Sequence, residues 1–209
     1  MTTLKLIILF FSIAFCSCGQ NNHYSKVDVN VARLSIKIIP LTNFLDNPDS
    51  CKKALLFLDS AINIDNNCFL CYHNKLMFLY SLKQFDKAVE TMNECIRINP
   101  SAHDLYLTGG ILYEKVGDTI SSLKYFQKSL AILNPVLDTM NVHHMNYEML
   151  VSNKAINLIM LGENKAGNDL LKSIAERQQE PESRDLTLSY MNKSKKELVE
   201  MMTNSQYNR

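Results

Sequence analysis

A pattern of side-chain size recurs along this chain at intervals of 34 residues. The segments FDKAVETMNECIRINP, from Phe85, and TISSLKYFQKSLAILN, from Thr119, place small and large residues at the same successive steps of four, three and three. The same offset towards the N-terminus finds a third copy, CKKALLFLDSAINIDN, from Cys51. Such steps share one face of an α-helix, where small residues let a neighbouring helix come close and large ones fill the gaps. The pattern predicts stacked helices that cover one another's apolar faces.

The segments between these copies repeat as well. Tyr72 and Tyr106 lie 34 residues apart, and GGILYEKVGD at 109–118 supplies a close-packing glycine, an aromatic residue and a turn glycine. An offset of 45 residues, one period plus an insertion of 11, leads to NKAINLIMLGENKAGNDLLKSIAE, from Asn153. This segment predicts a further helix, a glycine turn and a second helix.

This helix-turn-helix unit resembles the tetratricopeptide repeat (TPR). In the clearest unit the resemblance is carried by Tyr106, Gly110, Tyr113, Gly117, Ser122, Phe126 and Ser129, and in the unit before it by Tyr72, Leu79, Ala88, Met92, Cys95 and Pro100. The resemblance implies an all-α fold, a right-handed superhelical α-solenoid of TPR-like repeats with a C-terminal capping helix.

We therefore expect one TPR-like helical domain over residues 34–203. Its parts are a degenerate unit at 35–68, then units at 69–102, 103–136 and 148–181, an insertion at 137–147 and a capping helix at 183–203, before a tail at 204–209. The first unit is irregular because Pro40 falls inside its first helix, where proline removes an amide donor and clashes with the preceding turn.

The N-terminal residues 1–17 are predicted to form a cleaved signal peptide. One lysine precedes an apolar run of about ten residues, which is too short to span a bilayer. FCSCG at 15–19 resembles the lipobox of bacterial lipoproteins, which implies cleavage after Ser17 and acylation of Cys18 on its thiol and amine. A plain secretory signal is the alternative.

Acylation would make residues 18–33 a lipid-anchored polar tether, and two or more acyl chains would hold the protein stably at a membrane. We therefore expect a lipid-anchored protein of the bacterial cell envelope that faces the periplasm.

Composition and motifs argue against several functions. The net charge of +1, from 22 basic and 21 acidic side chains, provides no strong field for nucleic acid. The sequence has no nucleophile elbow, P-loop, dinucleotide-binding turn or H-E-x-x-H motif. His143 and His144 in the insertion are adjacent, but no acidic or cysteine partner lies nearby, so a solvated loop is the better interpretation than a metal site. We expect no enzyme activity, no cofactor and no metal.

Cys68 and Cys71 form a C-x-x-C pair at the predicted start of a helix. A helix N-terminus lowers a thiol pKa and favours a reactive thiolate, and the oxidising envelope favours a disulfide. Against redox chemistry, thioredoxin-type motifs follow a strand in a βαβ unit, and none is predicted here. The open interpretations are a local structural disulfide, unremarkable thiols, a redox pair and a metal site.

The resemblance implies that the first helices of the repeats line a concave groove for peptides or protein segments. Helical spacing places these residues on that face: His73, Met77, Tyr80, Leu107, Ile111, Glu114, Ser152, Ile156 and Ile159. Some of the aliphatic ones would instead pack against the insertion or the closing helix. The face is mixed apolar and polar with few charges, which suits a partner segment with apolar anchors.

The sequence thus predicts a non-catalytic interaction module that binds a protein or peptide segment within an envelope complex. The alternative is a thiol-disulfide protein that uses Cys68 and Cys71. A third hypothesis is a solute-binding pocket near His73 and Tyr80.

Overall fold

The computed structural model describes residues 28–204, and this part of the chain is helical with no strand. The predicted all-α class is confirmed. The helices are α1 (Val29–Ile38), α2 (Pro48–Ile64), α3 (Phe69–Ser81), α4 (Phe85–Ile98), α5 (His103–Lys115), α6 (Thr119–Thr139), α7 (Tyr147–Met160), α8 (Asn164–Arg177), α9 (Pro181–Ser189) and α10 (Lys195–Thr203), with a 3-10 helix at Ile39–Phe44. The predicted signal peptide and Cys18 lie outside the described residues.

The chain divides into two compact units. The first comprises the residues up to Pro100 together with those from Thr203, and the second runs from Ser101 to Met202. In the first unit the helices pack in sequence order from α1 to α4, and in the second they pack in sequence order from α5 to α9. Sequential packing of neighbouring helices is how helix-turn-helix repeats build a core.

The repeated positions of the sequence are the buried ones. The small-large-small residues of α2, α4 and α6 are exposed by no more than 2%: Ala54, Leu58, Ala61, Ala88, Met92, Cys95, Ser122, Phe126 and Ser129. The pattern therefore identifies the packed face of each second helix. Its fourth position differs, since Ile64 is the last residue of α2 and is 48% exposed.

The turn inside each of the three clearer repeats is the same. Lys83, Gly117 and Gly162 have left-handed φ values of 55°, 88° and 91° and are related by the offsets of the sequence repeat. The amide after each bonds back across the last helical turn, for example from Asp118 to the carbonyl of Tyr113 at 2.9 Å. This is the Schellman way of ending a helix, which needs a left-handed residue and so favours glycine.

The predicted tether is partly helical. Asp28 caps α1, and its carboxylate accepts a hydrogen bond from the amide of Asn30 at 2.7 Å. Val31 is already buried in the core of the first unit, so residues 29–33 are helix and their prediction as tether is wrong. The predicted break at Pro40 is confirmed, because α1 ends at Ile38 and the chain continues as the 3-10 helix.

Two further boundaries differ in the second unit. α6 continues through Pro135 to Thr139, three residues past the predicted end of its unit. The predicted single closing helix is wrong, because it is two helices, α9 and α10. The cause is a capping box, in which the Ser194 amide donates to the Glu197 carboxylate at 2.8 Å and the Glu197 amide donates to the Ser194 hydroxyl at 3.2 Å.

Candidate functional site

A cleft of about 310 Å³ lies between the first helices of the first unit. Its lining comes from α1, the 3-10 helix and α3, and consists of Ser35, Ile36, Ile38, Ile39, Thr42, Asn74 and Met77. Ile36 and Ile39 are 64% and 62% exposed, whereas Ile38 is buried beneath them. We name this feature the α1–α3 cleft. It presents accessible aliphatic surface beside hydroxyl and amide groups.

The three predicted groove residues of α3 are placed differently from one another. Met77 lines the α1–α3 cleft. His73 is half-buried, and its ring stacks on that of Phe69 with centroids 5.6 Å apart. The Tyr80 ring lies 6.3 Å from that of Phe85, and burial raises the pKa of Tyr80, so its phenol stays neutral.

The sequence prediction missed three polar groups of the cleft, the side chains of Ser35, Thr42 and Asn74. Asn74 lies three residues before Met77, and this helical spacing was the signal that could have found it. The Ser35 hydroxyl also lies 4.0 Å from the sulfur of Cys71, so the cleft adjoins the cysteine pair.

In the second unit the predicted groove is not accessible. Leu107, Ile111, Ile156 and Ile159 are exposed by 4% or less and belong to the apolar core of that unit. Leu198 and Val199 of α10 belong to the same cluster, and Ile159 also faces Gly167 of α8. The prediction of these α5 and α7 residues as a free binding surface is therefore wrong, because the apolar face of α5 and α7 already has a partner within the chain.

The two polar residues predicted to line the groove of that unit, Glu114 and Ser152, are partly buried. Glu114 forms an ion pair with Lys195 of α10, with 2.9 Å between carboxylate oxygen and Nζ. Ser152 is half-buried on α7.

The structure joins Cys68 and Cys71 in a disulfide, with their Cα atoms 5.3 Å apart. Cys68 is the N-cap of α3 and is half-buried, and Cys71 is fully buried in the first turn. Cys51 and Cys95 are buried and form no disulfide, and burial raises the pKa of the Cys51 thiol. The bonded pair thus ties the start of α3 to its own first turn.

Reducing this disulfide is expected to lower the free energy of unfolding by about 2 kcal/mol, since it closes a short loop and restricts the unfolded chain only modestly. The measurement is urea unfolding with and without dithiothreitol. Cys68→Ala with Cys71→Ala is the control, and the reductant should leave its midpoint unchanged. Equal midpoints for the native protein in both conditions would contradict the prediction.

A buried polar network joins three helices of the second unit. The Ser129 hydroxyl donates to the carbonyl of His103 at 2.8 Å, and the Asn157 amide donates to the Ser129 hydroxyl at 3.0 Å. Asn157 is fully buried and also donates to the carbonyl of Asn153 at 2.9 Å. The sequence signal was an asparagine inside the apolar run of α7. The network fixes the register of α5, α6 and α7 by geometry that apolar contacts do not provide.

Acidification is expected to destabilise the second unit through His103. Burial lowers the pKa of this imidazole below its ordinary value of 6.5, with a smaller opposing effect of Asp104. The unfolded chain then binds the proton more readily than the folded one, so stability present above pH 6.5 is lost as the pH falls below it. Urea midpoints measured from pH 7.5 to 5.5 should fall less steeply for His103→Asn. Parallel slopes would contradict this role.

Within residues 28–204 no group of three or more His, Cys, Asp or Glu side chains is placed to hold a metal ion. His143 and His144 are exposed, and the His144 Nδ1 accepts from the amide of Asn146 at 3.2 Å. No helix among the described residues is long and apolar enough to cross a bilayer.

Comparison with known proteins finds a tetratricopeptide repeat at residues 70–101, inside the predicted unit at 69–102. A TPR repeat-containing protein of Methanocaldococcus jannaschii is 31% identical over 100 residues, which is 48% of this chain. The match spans 18% of the length of that relative. The chain therefore contains a TPR, as the sequence predicts.

Two solved structures are similar to this chain at low sequence identity. PilW, described as a widely conserved type IV pilus biogenesis factor, is 20% identical with a TM-score of 0.49, over 70% of this chain and 63% of PilW. YrrB, described as a TPR protein with an unusual peptide-binding site, is 16% identical with a TM-score of 0.45, over 85% of this chain and 91% of YrrB.

Proposed function

We propose that this protein is a non-catalytic interaction module and that the α1–α3 cleft binds a segment of a partner protein. The observation that carries the proposal is the open cleft between the first helices of consecutive repeats, with Ile36 and Ile39 exposed at its edge. Exposed aliphatic side chains around a concavity are typical of protein interaction sites.

The shape and chemistry of the cleft suit a segment with an apolar anchor. A volume of about 310 Å³ accommodates one or two aliphatic side chains against Ile39 and Met77. The side chains of Ser35, Thr42 and Asn74 provide hydrogen-bonding groups at the same cleft for the backbone of that segment. The partner we propose is therefore a protein segment with aliphatic anchors and little charge.

We further propose that the module works at the surface of a bacterial membrane. The support is the N-terminal sequence pattern, in which an apolar run and Cys18 match a lipoprotein signal. Acylated Cys18 would hold the α1–α3 cleft close to the bilayer, facing the periplasm, where it would take part in an envelope complex.

Ile36→Asp combined with Ile39→Asp is expected to weaken partner binding at least about tenfold, because it places charge on the apolar edge of the cleft. Both side chains are exposed, so the fold is expected to survive. The matched control is Leu56→Asp on α2, a side chain of the same unit that is 67% exposed and does not line the cleft.

The experiment is affinity purification of the lipidated protein from its own membranes after mild cross-linking. A partner that the double variant loses and the control retains supports the proposal. A partner that all three proteins retain equally contradicts it and moves the binding site elsewhere. Ile111→Asp is unsuitable as a test of binding, because that side chain is buried in the core.

A thiol-disulfide protein is the alternative, favoured by the half-buried Cys68 at the start of a helix beside buried Cys71. The two functions respond differently to substitution. Cys68→Ala with Cys71→Ala preserves partner binding if the protein is an interaction module. If it is a redox protein, the double variant loses function, and Cys71→Ala alone accumulates a mixed disulfide with its substrate.

A further inference from the structure

Helix α10 lies on the face of α5 and α7 to which the TPR resemblance assigns ligands. Its Leu198 is fully buried and its Val199 is 4% exposed. Both belong to one apolar cluster with Leu107 and Ile111 of α5 and with residues of α7, among them Ile156. An aliphatic pair of this chain thus fills the surface where a partner would insert its anchors.

Two ion pairs hold α10 in one orientation. Lys195 of α10 pairs with Glu114 of α5 at 2.9 Å, and Glu200 of α10 pairs with Lys115 of α5 at 2.6 Å. In α10, Lys195 precedes the aliphatic pair and Glu200 follows it. Their partners on α5 are neighbours in sequence, Glu114 opposite Lys195 and Lys115 opposite Glu200. The surface therefore specifies the direction of a helix as well as its apolar content.

α10 is not needed to cap the array, because α9 already packs along α8. The Thr187 hydroxyl of α9 donates to the Gln178 side chain at the end of α8, at 2.9 Å. α10 instead turns back to α5 after a connection of five residues, in which Tyr190 and Met191 pack on the same apolar cluster and Asn192 has a left-handed φ of 57°. The face it covers is the equivalent of the one that is open in the first unit.

The helix itself is short. It has nine residues, Lys195–Thr203, and its N-terminus is capped by the Ser194 and Glu197 capping box. A helix of this length is marginal in water on its own, so α10 depends on its docking contacts for its structure.

We propose that α10 is an internal ligand of this face and is displaced by a partner helix of the same chemistry. The partner is an amphipathic helix with adjacent aliphatic residues, a basic residue three positions before them and an acidic residue directly after them, as in Lys195, Leu198, Val199 and Glu200. The inference concerns the second unit and does not depend on partner binding at the α1–α3 cleft.

The test uses the full chain in mild detergent and a fluorescent peptide of sequence SKKELVEMMT as the probe, with binding followed by anisotropy. Lys195→Glu with Glu200→Lys reverses both ion pairs through partly exposed side chains, so it releases α10 while leaving the core intact. This variant is expected to bind the peptide about tenfold or more tightly than the native chain, in which tethered α10 competes for the face. Leu198→Asp with Val199→Asp should show the same gain.

The matched control is Lys196→Asp, which changes an exposed side chain of α10 and should leave peptide affinity at the native value. A peptide with aspartate in place of the leucine should not bind any of these proteins. If both releasing variants bind the peptide no better than the native chain, α10 is a fixed part of the core and the inference is wrong. Release that produces dimers with exchanged α10, detected by light scattering, would overturn it in favour of a second copy as the occupant.

Discussion

Phe126→Ala is expected to lower the free energy of unfolding by about 3–5 kcal/mol, the cost of removing a large buried aromatic ring. Phe126 is fully buried in the core of the second unit. Its ring faces Gly110 of α5, where an added Cβ would lie 2.6 Å from Cε1 and 2.8 Å from Cδ1 of the ring. The glycine and the phenylalanine are thus a size-matched pair at a helix contact.

This pairing makes Gly110→Ala a sharp companion test. In the native chain the substitution overpacks the contact and should cost about 1–3 kcal/mol. In the Phe126→Ala background the ring is gone, and the higher helix propensity of alanine should make the same substitution stabilising by up to about 1 kcal/mol. Urea unfolding of the four proteins measures the coupling. An equal cost of Gly110→Ala in both backgrounds would contradict the pairing.

Gly167→Ala is expected to destabilise the second unit by about 3 kcal/mol, at the upper end of overpacking effects. A Cβ at this position would lie 2.5 Å from Cγ1 of Ile159 and 2.7 Å from the carbonyl oxygen of Ala155. A side chain can rearrange, but a carbonyl of α7 moves only with its helix.

The contact with the Ala155 carbonyl distinguishes this substitution from one that overpacks side chains alone. Gly167→Ala should be rescued only partly in an Ile159→Ala background, because the Ala155 carbonyl remains. Ser173→Ala, at an exposed position of the same helix, is the control and should change stability little. A variant more stable than the native chain, as helix propensity alone would give, would contradict the close approach of α7 and α8.

Much of the fold could be predicted because the repeat encodes it locally. The small-large-small pattern identified residues such as Ala54, Leu58 and Ala61 as buried, and the glycine positions identified the turns. Each inference needs only helical periodicity and the preference of glycine for a left-handed turn. Lys83 has the same left-handed conformation although it is not glycine, and there the offset of 34 residues from Gly117 is what indicates the turn.

The site was harder to predict, because periodicity shows which face is apolar but not what covers it. Ile111 and Ile156 lie on the expected face of their helices, yet α10 buries them. The S-x-x-E sequence at Ser194 is typical of a helix N-terminus, and it could have shown that the closing segment is two helices. That α10 then returns to α5 depends on tertiary contacts of Leu198, which no local pattern reveals.

Site-specific photo-cross-linking in intact cells asks directly whether a partner protein lies against the α1–α3 cleft. A photoreactive phenylalanine replaces Ile39 at the edge of the α1–α3 cleft in one strain and Leu56 outside it in another, at sites of similar exposure. We expect a discrete adduct with one partner protein from the Ile39 site and none from the Leu56 site. No adduct from the Ile39 site, or the same adduct from both sites, would contradict it.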